Sequence, residues 1–173
     1  MDHLWTPWRS TYITRINSNE EVACIFCHAA ASTDDEATLV VYRAHLNFVI
    51  LNKYPYTNGH LMIAPYRHVS RLQALDEAVT AEMMRLTRLA EAVLEAVYKP
   101  HGLNVGLNLG EAAGAGIEQH LHLHALPRWK GDANFMTSIA NTRVVPELLS
   151  ETYGKLRVGF AAALANINLQ DGV

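Results

Sequence analysis

"ATLVVYRAHLNFVILNKYPYTNGHLMIAPY", residues 37–66, sets the architecture. Its runs 38–42, 46–52 and 60–65 are rich in Val, Ile, Leu and Phe and are separated by turn formers, the pattern of three short strands. Pro55 and the Asn58-Gly59 pair mark the turn before the third run. Downstream, Met83, Leu86, Ala90, Val93, Leu94 and Val97 recur at helical spacing, predicting a helix capped by Asp76 and running through Tyr98. Pro100 and Gly102 end it. Residues 103–110 then read as a glycine-rich strand, 111–116 as a loop and 119–126 as a strand of strict two-residue alternation. From Pro146, Leu149, Tyr153, Leu156, Phe160, Leu164 and Ile167 fall at steps of three or four, predicting a C-terminal amphipathic helix that frays after Asn168. Strands, helix, strands, helix: the order predicts an α+β domain with an antiparallel sheet.

The bulk numbers fit that reading. The 173 residues suit one domain, and half of them are hydrophobic, enough for a single core. A formal charge of −3 gives no global attraction to nucleic acid or to an anionic membrane, and neither is expected as a partner. No apolar run approaches the ~18–20 residues of a membrane span. The opening "MDHLWTPWRS" has no basic segment followed by an apolar run, so no signal peptide and a cytoplasmic protein are expected. In that setting the Cys24-x-x-Cys27 pair points to metal ligation or redox chemistry rather than a structural disulfide.

The nine histidines are the main compositional clue, and three stand in "IEQHLHLHALPRW", residues 117–129. On a strand, His120, His122 and His124 share one face while Leu121, Leu123 and Ala125 face the core. Two chemistries fit such a row. Three imidazoles can hold a metal. Alternatively, the middle one attacks phosphorus while its neighbours handle protons and charge, because imidazole is neutral and nucleophilic near pH 7. The upstream "NLGEAAGAG" offers backbone amides to phosphate oxygens, with Gly114, Ala115 and Gly116 nearest the triad.

"HLHLHALPR" resembles the His-x-His-x-His signature of the histidine-triad nucleotide-binding proteins. "NGHLMIAPYRH" resembles that family's second motif, and "ACIFC" the entry to its zinc-bearing bacterial members. The resemblance implies a histidine-triad fold of about five antiparallel strands with a long helix and a C-terminal helix. It implies one domain over 1–173: an N-terminal extension (1–21), a core (22–128) and a C-terminal extension (129–173) bearing the helix. Residues 1–12 and 131–157 further resemble a branch of diadenosine polyphosphate hydrolases or phosphorylases.

On matching positions, the resemblance makes His122 the nucleophile that takes the α-phosphoryl group, with a backbone carbonyl fixing its tautomer. His124 sits by the phosphate and the leaving group, and His60 is the additional histidine from the neighbouring strand. Asn52 falls where the family holds ribose hydroxyls, and Asn108 is a phosphate-side asparagine. Cys24, Cys27, His68 and His120 match the ligands of a structural zinc; no organic cofactor is implied. A homodimer is implied, with helix 77–98 and strand 103–109 near its interface.

The chain departs from the pattern at Gly116 and Ile117, where many members carry Gln followed by Ser or Thr. The missing side chain leaves room for an acceptor other than water, which favours phosphorolysis. Rival readings are a nucleoside phosphoramidase, disfavoured by the long C-terminal segment, a nucleotide-binding regulatory module with little turnover, and a hydrolase whose triad cages a metal. Arg128 and Trp129 are candidate nucleotide or subunit contacts, and Tyr54 and Tyr56 candidate borders of the base site.

Overall fold

The computed structural model describes residues 24–132 and 147–170. Trp5, Trp8, the N-terminal extension 1–21 and Pro146 lie outside the described residues. Among the described residues the elements are α1 (Ile25–Ala31), α2 (Asp35–Thr38), β1 (Val40–Arg43), β2 (Asn47–Leu51), β3 (Leu61–Pro65), α3 (Glu77–Tyr98), β4 (Gly102–Leu107), β5 (Leu123–Arg128) and α4 (Leu149–Gln170). The strands form one antiparallel sheet in the order β1-β2-β3-β5-β4. The expected α+β architecture is present, and α3 starts directly after Asp76 as the periodicity predicts. Asp76 caps it without a side-chain bond to the helix; its carboxylate pairs with Arg67 instead.

Every residue of β2 and β3 is buried, because both faces of the sheet are covered. On one face, Val49, Leu51, Leu61 and Ile63 pack with Met83, Leu86, Ala90 and Leu94 of α3 and Leu156 and Phe160 of α4. The two helices approach closely at Gly159, where a Cβ would lie 2.8 Å from Val93 Cγ1. On the other face, Phe48, Ile50, Met62 and Ala64 pack with Phe26 and Ala29 of α1. This second layer explains why β2 and β3 read as continuous apolar runs instead of alternating ones.

The sequence reading contained neither α1 nor α2. They are short, and long-range polar contacts hold α1 in place. Arg43 on β1 donates to the carbonyls of Ala29, Ala30 and Ser32, closing the C-terminal end of α1, and pairs with Asp35 at 2.8 Å. At the sheet's far end, Glu82 of α3 accepts from the amides of His45 and Leu46 and from Asn47 Nδ2, fixing the β1–β2 turn.

The last strand begins at Leu123, not at residue 119. Two carbonyls that a longer ladder would use are taken by imidazoles: Pro65 O accepts from His120 Nε2 at 2.9 Å, and His120 O from His122 Nδ1 at 2.8 Å. Pro65 also has no amide to give. The segment before Leu123 is instead tied to the loop after β3 through Leu121 N–H and Val69 O, 2.6 Å apart. The alternation still sorts the side chains: Leu121, Leu123 and Ala125 enter the core under α3, while the rings of His120 and His122 meet Phe26 on the opposite face.

Gly59 delivers His60 to β3. Its φ of +75° is left-handed, and a Cβ there would lie 2.8 Å from the Tyr98 ring. Gly59→Ala is expected to destabilise the fold by about 1–3 kcal/mol, through backbone strain and displacement of Tyr98. A shift in urea midpoint at unchanged slope measures it.

Candidate active site

Four histidines meet on the α1 side of the sheet. His120 and His60 are fully buried, His122 is 6% exposed, and His124 is half-buried. His124 stands on β5 opposite Met62 of β3 and Gly106 of β4. Gly106 has no side chain, and among the described residues nothing lies within 4 Å of a would-be Cβ there, so none of them fills the space beside His124 at that position.

Hydrogen bonds fix the proton on each ring. A carbonyl only accepts, so His122 donates from Nδ1 to His120 O, and its Nε2 holds a lone pair. By the same logic His120 donates from Nε2 to Pro65 O, so its lone pair is on Nδ1. The Tyr56 amide only donates, and it reaches His60 Nδ1 at 3.2 Å, so neutral His60 carries its proton on Nε2. That proton points at His124 Nδ1, 2.9 Å away, leaving His124 protonated on Nε2.

The electrostatics agree with an unprotonated His122. Burial holds its pKa below the ordinary imidazole value, although the bond to His120 O works in the opposite direction. Burial lowers His120 as well, against the Pro65 bond, and the neighbouring His68 and His122 push it the same way. Phe26 supplies much of that burial, its ring centroid lying 5.0 Å from His120 and 4.8 Å from His122.

A second cluster adjoins the first. Cys24, Cys27, His68 and His120 each offer one ligand atom, all within 4.8 Å of one another. His120 Nδ1 lies 3.3 Å from Cys24 Sγ, 3.6 Å from Cys27 Sγ and 3.2 Å from His68 Nδ1, and Cys27 Sγ lies 3.2 Å from His68 Nδ1. Metal–sulfur bonds of ~2.3 Å and metal–nitrogen bonds of ~2.0–2.1 Å make tetrahedron edges of about 3.3–3.8 Å, so these residues fit a metal ion. The lone pair of His120 already faces the cluster. Burial raises the Cys27 thiol, and Cys24 beside it adds to the rise.

The remaining sequence candidates fall in several places. Asn52, directly after β2, is half-buried; its Oδ1 accepts from the Tyr54 amide and its Nδ2 lies 3.3 Å from His60 Nδ1. Asn108 directly follows β4 and is half-buried. Gly114 and Ala115 spend their amides inside the turn, on Glu111 O and Gly110 O. Gly116 follows that turn, and Ile117 packs against the Phe26 core. Arg128 pairs with Asp132 and donates to Asn104 Oδ1, while Trp129 lies edge-on to Tyr98. Tyr56 rests its ring 4.8 Å from His60. Sequence reasoning missed Phe26 and Gly106. The alternation of β5 could have flagged a need for cover on the histidine face, but nothing local marks Phe26 as that cover.

Phe26→Ala is expected to cost about 3–5 kcal/mol of stability, since a fully buried ring is lost between two imidazoles. Chemical denaturation of the variant tests this. A cost below 1 kcal/mol, on the order of a surface change, would show that Phe26 does not cover the site.

Comparison with known proteins follows the same line. The HIT domain family matches residues 34–131. The chain is 45% identical over 158 residues to an AP-4-A phosphorylase of Mycobacterium tuberculosis, covering 88% of this chain and 80% of that one. It is 32% identical over 93 residues to an asymmetrical bis(5'-nucleosyl)-tetraphosphatase of Schizosaccharomyces pombe, covering 54% and 50%. Among solved structures, a Zn-bound histidine triad family protein from Mycobacterium smegmatis superposes with a TM-score of 0.67 at 24% identity, covering 85% of this chain and 99% of that one. A family match over more than half the chain, and a relative at this identity over most of its length, agree with the row of fixed imidazoles: the chain belongs to the HIT domain family.

Proposed function

We propose that this protein cleaves diadenosine polyphosphates through a nucleotidyl-histidine intermediate and passes the nucleotidyl group to inorganic phosphate. One observation carries the reading: His122, buried and neutral, gives its Nδ1 proton to His120 O and so keeps a lone pair on Nε2. Nε2 attacks the α-phosphorus, forming a P–N bond as the P–O bond to the nucleoside polyphosphate breaks. His124, protonated on Nε2, serves the oxygen that leaves. Phosphate then attacks the same phosphorus, the P–N bond breaks, and a nucleoside diphosphate departs. With diadenosine tetraphosphate the products are ATP and ADP; with water as acceptor they are ATP and AMP.

Two features favour phosphate as acceptor. The 45% identical relative is an AP-4-A phosphorylase, and Gly116 places no side chain where related proteins carry glutamine. Asn52 and Asn108 serve ribose and phosphate in this reading. The loop is left with Gly116 as its phosphate-side member, because Gly114 and Ala115 have committed their amides to the turn. Product analysis of diadenosine tetraphosphate with and without phosphate tests the proposal. ADP is expected only with phosphate, and absence of turnover under both conditions would sink it. His122→Ala is expected to lower kcat by at least about 10³-fold while nucleotide binding persists; a small loss would favour a binding module.

We assign zinc to Cys24, Cys27, His68 and His120 on the chemistry of the donors, two thiols and two imidazoles. Zinc at four protein ligands is structural, since no position remains for water. It would join α1 to the segment that bears His122. Elemental analysis is expected to find a single zinc per chain, lost in Cys27→Ser together with a lower Tm. Full occupancy in that variant would remove Cys27 from the ligand set.

The reading extends to assembly and setting. β4 forms an end of the sheet among the described residues and exposes half of Val105, which supports a homodimer formed along β4 and α3. We take residues 1–173 as one domain. No described helix is long and apolar enough to cross a membrane, and reduced cysteines in a metal set suit the cytoplasm.

A further inference from the structure

We infer that Asn52, besides any contact with ribose, is a positioning residue that acts with the Tyr56 amide to set the direction of the His60–His124 hydrogen bond. Its amide orientation follows from its neighbours. The Tyr54 N–H is 2.9 Å from Oδ1 and can only donate, so the oxygen faces Tyr54 and the NH2 faces His60. His60 Nδ1 therefore meets two donors, Asn52 Nδ2 at 3.3 Å and Tyr56 N–H at 3.2 Å. With Nδ1 held as an acceptor, the His60 proton stays on Nε2 and is given to His124 Nδ1. The proton of His124 is thereby kept on Nε2.

Burial gives this arrangement its force. His60 has no exposed surface, so water cannot supply the alternative partners that would let its tautomers interconvert cheaply. The loop that carries both donors is itself anchored. Thr57 Oγ1 donates to Pro127 O of β5 at 3.0 Å, and Asn52 N–H donates to His60 O at 2.9 Å. Replacing the amide by a carboxylate of the same shape would put an acceptor opposite an acceptor. A charged acceptor outcompetes the Tyr56 amide for Nδ1, so His60 would gain a proton there at the expense of that amide's bond, and a neutral ring so protonated has none to give His124. The direction of the relay would reverse, and the proton on His124 would move from Nε2 to Nδ1. This role rests on the proposed use of His124 at the leaving oxygen, but the tautomers themselves do not.

The test uses the full chain carrying 15N-labelled histidine. His60 and His124 are both expected as Nε2–H tautomers with unprotonated Nδ1. Asn52→Asp is expected to place a proton on His60 Nδ1, visible in its nitrogen shift. A His60 already protonated on Nδ1 in the unaltered chain overturns the inference without any variant. An unchanged tautomer in a folded Asn52→Asp chain overturns it as well. Turnover separates positioning from ribose contact. On a dinucleoside polyphosphate lacking the 2′ and 3′ hydroxyls, Asn52→Asp is still expected to lower kcat about tenfold or more, as loss of proton transfer would. A loss confined to KM, and seen only when the hydroxyls are present, assigns Asn52 to ribose alone. If the unaltered chain turns over no dinucleoside polyphosphate, the proposed reaction falls while the nitrogen shifts still decide the relay.

Discussion

The hydrogen bond from His122 Nδ1 to the carbonyl of His120 is the constraint on which the rest of this site depends. It fixes a tautomer, withdraws a carbonyl from the sheet and makes the last strand start at Leu123. The same residue, His120, gives its own Nε2 proton to Pro65 O and turns its other nitrogen toward Cys24, Cys27 and His68. One residue thus faces the Cys24, Cys27 and His68 cluster with its ring and holds the proposed nucleophile, His122, with its backbone. Any movement of the cluster moves the carbonyl that sets the charge pattern on His122.

Such an arrangement needs cover, and the second layer of the fold provides it. A sheet with a bare histidine face would leave water to compete for every ring nitrogen, and the tautomers would mix. Phe26 closes that face over His120 and His122. Its helix is only seven residues long, too short to persist alone. Arg43 therefore matters well beyond its half-buried pair with Asp35. Three backbone carbonyls at the end of α1 converge on its guanidinium, which ties the Cys24–Cys27 segment to β1. Hydrogen bonds from a charged donor to partly buried carbonyls are each worth about 1.5–3 kcal/mol, more than an exposed ion pair.

Periodicity made the sheet and both long helices legible. Continuous apolar runs marked β2 and β3, and the α3 repeat located its start after Asp76. The two-residue spacing of His120, His122 and His124 sorted their rings from Leu121, Leu123 and Ala125, even where the backbone is not a strand. What the sequence hides is contact at long separation. Arg43 meets residues 11 to 14 positions away, and Asn47 meets Glu82 from 35 away. No local pattern carries such pairs. The start of β5 is hidden for a related reason: alternation reports which way side chains point, whereas the ladder depends on which carbonyls are still available. Glycines in a loop suggest open amides, yet a turn consumes its own donors before a ligand can, as Gly114 and Ala115 do.

The division of labour among four chemically identical side chains follows from their partners alone. Each imidazole has two nitrogens, and in three of the four one nitrogen is bound to a group that cannot change role. A carbonyl for His120 and His122 forces a proton onto the bound nitrogen; an amide for His60 forces a lone pair there. His124 Nδ1 meets another titratable ring, His60 Nε2, at 2.9 Å. It is therefore the ring whose proton is set at one remove, through the Tyr56 amide and the His60 ring. A group that must give up a proton and recover it within each cycle is better held by another titratable ring than by a backbone atom. In the proposed reaction His122 has the opposite need, because its Nδ1 proton must stay in place while Nε2 forms and breaks a bond. A carbonyl two residues away supplies that fixity. The fold gives the rigid partner to the ring proposed to attack and the titratable one to the ring proposed to exchange protons.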